Sequence, residues 1–284
     1  MKKLKEPLAR ILFFAAATVS IIAVILICVF LFANGIPGMA KIGFLDFLTG
    51  KTWRPGNDIY GILPMILGSI YVTAGAIVIG VPIGIFTAVY ISRFISGKPK
   101  RIIQSAVSLL AGIPSVIYGF FGLTVILPLT RDLFRATGTG SMLAASIILG
   151  VMILPTVISV SEAAISAVPE AYYEGSLALG ATHERSVFFT LLPAAKSGVT
   201  ASVVLGVGRA IGETMAVIMV AGNQPRMPVS LLKGVRTLTA NIVIEMGYAA
   251  DLHREALIAT AVVLFVFILI INLLFSLLER RSRV

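Results

Sequence analysis

Six stretches of this chain are nearly continuous runs of apolar residues, at roughly 11–33, 65–92, 103–129, 141–160, 198–221 and 256–278. Each is about as long as the ~20 residues a helix needs to cross the hydrocarbon core of a bilayer. The pattern predicts an all-α membrane protein with six transmembrane helices. Basic residues gather in the short polar connectors: Lys2, Lys3, Lys5 and Arg10 before the first run, Arg93, Lys98, Lys100 and Arg101 after the second, and Arg280, Arg281 and Arg283 after the last. With six spans these clusters fall on one side, and the positive-inside rule makes that side, with both termini, cytoplasmic. The first run opens like a signal peptide but is too long for one and lacks a clean cleavage site, so it reads as an uncleaved anchor. The chain divides accordingly: residues 1–64 form an anchor helix and outer loop, 65–221 a four-span core with a cytoplasmic loop at about 162–196, and 222–284 an outer segment, last span and tail.

Glycine and proline are absent from the first and last runs, whereas the second carries Gly68, Gly75, Gly80, Pro82 and Gly84, and the third Gly112, Pro114, Gly119, Gly122 and Pro128. Small residues let helices approach closely, and proline frees backbone groups that lipid cannot satisfy. Spans two to five should therefore form an inner bundle with one and six outside it. The densest interruption is Ala111–Gly122, AGIPSVIYGFFG. A break near Pro114 would turn a helix N-terminus and the Ser115 hydroxyl inward, either as an anion contact or as a purely structural kink.

Composition supports the membrane assignment: 58% of residues are hydrophobic, 13% charged, and the mean hydropathy is +1.00. The net charge of +10 sits beside the spans and forms no continuous face for nucleic acid. Cys28 is the one cysteine, which excludes an internal disulfide; His183 and His253 are too far apart for a metal pair. No metal or cofactor is expected. No GxxxxGK[ST] loop and no nucleophile–base pairing is present, so the chain is not expected to be an enzyme.

Two polar features interrupt the apolar pattern. The fifth run holds Arg209 and Glu213, four residues apart, which would share a face of one helix and pair. Charge at that depth costs about 2.5–3.5 kcal/mol per residue. The pair is therefore either a mutual neutralisation or part of an anion route, where the Arg fork suits a tetrahedral oxyanion and Glu213 accepts the remaining proton of phosphate. Sulfate offers no such donor, which gives a basis for discrimination. Thr214 belongs to the same candidate pathway, with Ser115. Gly208 and Gly212 would clear space beside them. The other feature is the island EAYYEGSLALGATHERSVFFTLLP, Glu170–Pro193, between two apolar runs. It predicts two short helices: Pro169 at a first helical position, Gly180 in a left-handed turn, Thr182 as the next cap, and a break at Pro193. Its plain reading is an amphipathic connector on the membrane surface.

Within that island Glu174, Gly180, Leu192 and Pro193 keep the spacing of the ATPase-coupling loop of ABC importer permeases, which it resembles. Together GRAIGETMAVIMVAGN (Gly208–Asn223), AGIPSVIYGFFG, FLTGKTWRP (Phe47–Pro55) and RTLTANIVIEMGYA (Arg236–Ala249) resemble the PstC family, permease subunits of bacterial high-affinity phosphate ABC importers. The resemblance runs from about residue 44 onward. It implies the MetI-like fold in a bacterial cell membrane and a permease domain at 65–221. The implied partners are a second permease subunit (PstA-like), two cytoplasmic ATPase subunits (PstB-like) and an extracytoplasmic phosphate-binding protein (PstS-like). It also implies transport roles for Arg209 and Glu213.

Residues 34–64 and 222–255 would then receive the binding protein, with Trp53 more simply an anchor at the membrane interface. The alternatives are a permease for another oxyanion or a secondary transporter driven by an ion gradient. The latter often shows internal repeats, absent here, and has no use for the island.

Overall fold

The computed structural model describes residues 2–135 and 137–281, and side chains between residues 10 and 277. Helices follow the apolar runs because a backbone surrounded by hydrocarbon must satisfy its own N–H and C=O groups. Among the described residues, five helices are long and apolar enough to cross a membrane: Arg10–Ile42, Leu63–Phe94, Ser115–Phe134, Met142–Ser166 and Asp251–Leu277. A sixth crossing results if His183–Ala194 and Lys196–Gly212, bent by 70°, count as one span.

Two of the expected continuous spans are broken. The run at 103–129 is divided at Ile113–Pro114 into an amphipathic helix, Gly97–Gly112, and the more apolar Ser115–Phe134. Pro114 has no N–H and restricts the residue before it, so Ile113 is extended at ψ 125°. The run at 198–221 is likewise two helices, Lys196–Gly212 and Met215–Val220. There the backbone leaves the helix at Glu213 (φ −69°, ψ 129°), without any proline.

The centre of the bundle is the seam between Leu63–Val89 and Met142–Ser166. Its glycines make the close approach possible. A Cβ on Gly80 would lie 2.6 Å from the Gly150 carbonyl oxygen, and one on Gly84 2.7 Å from a Val157 methyl. Ser146 Oγ donates across the same seam to the Val72 carbonyl at 3.2 Å. Spans one and six lie outside, as expected, and pack on each other: a Cβ on Gly35 would meet Val262 at 2.6 Å, and Lys41 is ion-paired with Glu255. No residue in the most apolar stretch of span one is buried.

Beyond the bundle, Trp53–Arg54 and Ile59–Tyr60 form a short antiparallel hairpin. Trp53 is not an interfacial anchor. It is 4% exposed, and its indole N–H donates to Glu245 Oε2 at 2.8 Å. The sequence reading had no way to see a buried carboxylate nearly two hundred residues away.

Candidate functional site

The two breaks sit side by side. A Cβ on Gly119 would meet Met219 and Ala216, and one on Gly122 would meet Val220, so Ser115–Phe121 and Met215–Val220 run in the same direction. Their first residues, Ser115 and Thr214–Met215, thus begin at a common level in the bundle. Thr239 Oγ1 donates to the Glu213 carbonyl at 3.2 Å, and the Thr214 hydroxyl to that of Gly212 at 3.2 Å. The carbonyls freed by the second break are in this way bonded within the protein.

Arg209 and Glu213 do not pair. The helix face they were expected to share ends at Gly212, and no ion pair joins them. Glu213 instead folds over its own break, with Oε1 accepting the Ala216 N–H at 3.2 Å in the manner of a helix cap. Arg209 is exposed, its guanidinium donating to Thr156 Oγ1 at a long 3.4 Å. Gly208 and Gly212 face open space: a Cβ on either meets nothing within 4 Å, so neither packs against this chain. The result is a guanidinium with spare donors, near two broken helices, on a face the chain leaves uncovered. That arrangement holds an oxyanion better than a neutralised pair would, because the fork is not already occupied.

On the other candidate surface, the expected turn at Gly180 is present (φ +85°), and Thr182 caps the following helix by accepting the Arg185 N–H. The first helix is Glu170–Ala178, with Pro169 just before it rather than inside it. Pro193 does not end the second helix. The chain passes from His183–Ser186 through a wide π turn, Val187–Leu191, and stays helical across Pro193 to Ala194 before bending. The wider turn gives the proline ring room that a regular α turn would deny it. Glu174, Gly180 and Pro193 are exposed, as are Leu179 (91%) and Phe189 (77%), whereas Val187 and Leu191 are buried against Ala88, Val89 and Ile165 of spans two and four. Arg93 at the end of span two is ion-paired with Glu170 at 2.8 Å and stands over the Tyr173 ring. His183 bridges Tyr173 (hydroxyl to Nδ1, 2.8 Å) and the edge of Phe94. The loop presents apolar and acidic groups outward and is tied to the spans behind it. In Glu184, its own backbone N–H and then the Thr182 hydroxyl hold the carboxyl below its usual range.

A third cluster was missed by sequence reasoning. Glu245, 6% exposed, receives Trp53, Arg236 and His253, while Arg236 also donates to Asn241 Oδ1 at 3.0 Å and the Asn223 carbonyl at 2.9 Å. The only sequence signal was the concentration of such residues in two outer segments far apart in the chain.

Residues 80–284 match the model of one protein family, described as the binding-protein-dependent transport system inner membrane component. The chain is 38% identical to the probable ABC transporter permease protein YqgH of Bacillus subtilis, covering 100% of this chain and 94% of that one. It is 33% identical to the phosphate transport system permease protein PstC of Mesorhizobium japonicum (90% and 84% covered) and to that of Haemophilus influenzae (78% and 76%). Among solved structures it resembles an inward-facing MetNI methionine ABC transporter, with TM-score 0.64, 20% identity, and 81% and 99% coverage. A bacterial alginate ABC transporter gives TM-score 0.63 at 17% identity, with 94% of each chain covered.

Proposed function

The chain belongs to the family of binding-protein-dependent transport system inner membrane components, and from that premise we propose that it is the permease subunit of an ATP-driven importer of inorganic phosphate. The observation that carries this reading is the unpaired Arg209 beside two helix breaks at one level of the bundle. The names of the PstC relatives support phosphate as the cargo. Arg209 offers its fork to the phosphate oxygens, and Ser115 and Thr214 add hydroxyl donors at the breaks. Glu213 keeps one carboxylate oxygen beyond its cap and accepts the proton that phosphate carries near neutral pH, a contact sulfate cannot return.

The same premise gives the partners. A second, PstA-like permease subunit closes the open face at Gly208 and Gly212. Of two PstB-like ATPase subunits that supply the ATP hydrolysis, one docks on the loop through Glu174, Gly180, Leu192 and Pro193 and the other on the second permease subunit. A PstS-like binding protein delivers phosphate to the opposite side. Both termini and the Arg93–Arg101 cluster are cytoplasmic in this arrangement. The permease core spans residues 65–221. An ion-gradient carrier would have no use for the exposed Leu179 and Phe189.

The test is ATPase activity of the reconstituted four-component complex with phosphate, sulfate or molybdate. Stimulation by phosphate alone is expected. Stimulation by another oxyanion in its place would reassign the cargo, and no coupling to any of them would remove the importer reading.

A further inference from the structure

Span five joins the Glu170–Pro193 loop to the break at Glu213 along the chain, but it is a poor rod. It bends by 70° between Ala194 and Lys196, and its helix ends at Gly212. Span two runs unbroken from Leu63 to Phe94 and reaches both places. At its inner end Arg93 Nη1 donates to Glu170 Oε2 at 2.8 Å, and the guanidinium stands 5.9 Å from the centre of the Tyr173 ring. Phe94 beside it packs on His183 and Phe188. At its outer end Ser69 Oγ accepts the Leu238 N–H at 2.9 Å, and Gly68 lies so close to Arg236 that a Cβ there would collide with the Arg236 carbonyl. One residue beyond Leu238, Thr239 Oγ1 donates to the Glu213 carbonyl. From Ser69 to Arg93 the helix is about 36 Å long, at ~1.5 Å per residue. Span four is also unbroken, yet it meets Arg209 only through the long Thr156 contact.

Arg93 is poorly suited to be an anchor alone. Its side chain is 13% exposed and that of Glu170 56%, and an ion pair to so exposed a carboxylate adds little to stability. Its buried Nε has no hydrogen-bond partner among the described residues, and Nη2 reaches the Ile165 carbonyl only at 3.5 Å. A donor buried without an acceptor is a cost. The loop is already seated by Val187 and Leu191 against Ala88, Val89 and Ile165. What the guanidinium adds is a directional tie between the first helix of the loop and the last turn of span two. We propose that Arg93 is a positioning residue for transport: it fastens the loop to span two, which carries the loop's displacement to Leu238 and Thr239 and so moves the backbone at Glu213. The inference rests on the import reading above. Packed side chains, hydrogen bonds and a rigid helix are the parts through which two distant sites bias one another.

In the assembled complex Arg93→Gln should keep ATPase co-purification at the wild-type level, since the exposed face of the loop is untouched. Phosphate taken up per ATP hydrolysed should fall roughly tenfold, a usual size for coupling between two sites. Arg93→Lys, which keeps the charge, should recover part of that ratio. Ser69→Ala, at the far end of the helix, should lower it as well, and a normal ratio there would cut the route short of the site and overturn it. A residue that only anchored the loop would lose abundance and ATPase together and leave the ratio of what assembles unchanged, so an unchanged ratio in Arg93→Gln overturns the proposal. Should that variant not assemble, Glu170→Gln removes the same pair from its exposed side, and a normal ratio in it is equally fatal. A second readout does not involve the cargo. Cys28 is the chain's one cysteine, so Cys28→Ser allows a single fluorophore on Phe86→Cys, an exposed position of span two. ATP with vanadate should shift its emission in this parent and not when Arg93→Gln is added. A shift that persists with Arg93→Gln, or none in the parent, would overturn span two as the carrier. A parent that shows the shift but no phosphate-stimulated ATPase activity would overturn the import reading alone.

Discussion

Glu213 turns the backbone out of the helix, and that one residue decides how Arg209 behaves. Breaking a buried ion pair typically costs about 3–5 kcal/mol, because the survivor is left uncompensated. No pair exists here, so Arg209→Gln should assemble at near wild-type abundance and still lose phosphate uptake. Glu213→Gln retains an oxygen for the Ala216 cap and should behave likewise, and the double variant should not recover. Uptake per assembled complex is the measurement, and near-normal uptake by the double variant would return both residues to a structural role. Gly180 poses a different problem. Its Cβ would meet nothing, so Gly180→Val fails through backbone strain alone, about 1–2 kcal/mol for a left-handed residue. Co-purification of the ATPase should fall for valine and largely survive for asparagine, which tolerates that conformation. Burial, with a hydrogen bond to Asp58 adding to it, pushes the Tyr60 phenol up to about 12. The raised value favours the neutral phenol in the fold. Its contribution is complete below the unfolded value near 10 and is lost as pH rises toward 12. A difference absorbance titration of wild type against Tyr60→Phe should show this late ionisation.

Between helices, glycines that look alike in sequence separate by what they touch. Gly80→Leu should abolish assembly, since even a Cβ there collides with the Gly150 backbone. Gly208→Leu should leave this subunit folded in isolation and act only on what covers its open face. Thermal unfolding of the purified subunit distinguishes the two, and equal loss would refute the seam. The positions of the first, second, fourth and sixth apolar runs, the Gly180 turn and the Thr182 cap were legible because each depends on local composition or a single backbone requirement. The break at Glu213 was not, since Gly212 weakens a helix there without marking that it must end; Thr239 and the Glu213 side chain stabilise the broken form from outside and across the gap. Pro193 misled for the opposite reason, as the π turn before it absorbs a residue that ordinarily ends a helix. The loop's attachment to span two through Arg93, Glu170, Tyr173 and His183 was equally invisible, because it joins residues some eighty positions apart.

At the scale of the whole molecule, Glu245 gathers the hairpin, the outer segment and the last span around one buried carboxylate. Glu245→Ala would strand Arg236, which is 12% exposed, and should lower stability by about 3–5 kcal/mol, read as a depressed melting temperature of the whole chain. Full stability in that variant would make the cluster dispensable. The pairing of the first and last spans through Gly35 and Val262 has a consequence for the order in which the chain is made. The helix synthesised first finds its partner only after more than two hundred further residues have left the ribosome. Until then it must hold its place in the bilayer unaided, which the mean hydropathy of 2.9 in its most apolar stretch allows. Truncation before Val262 therefore leaves span one without the residue it packs against, an inserted but unsealed bundle for quality-control proteases to find.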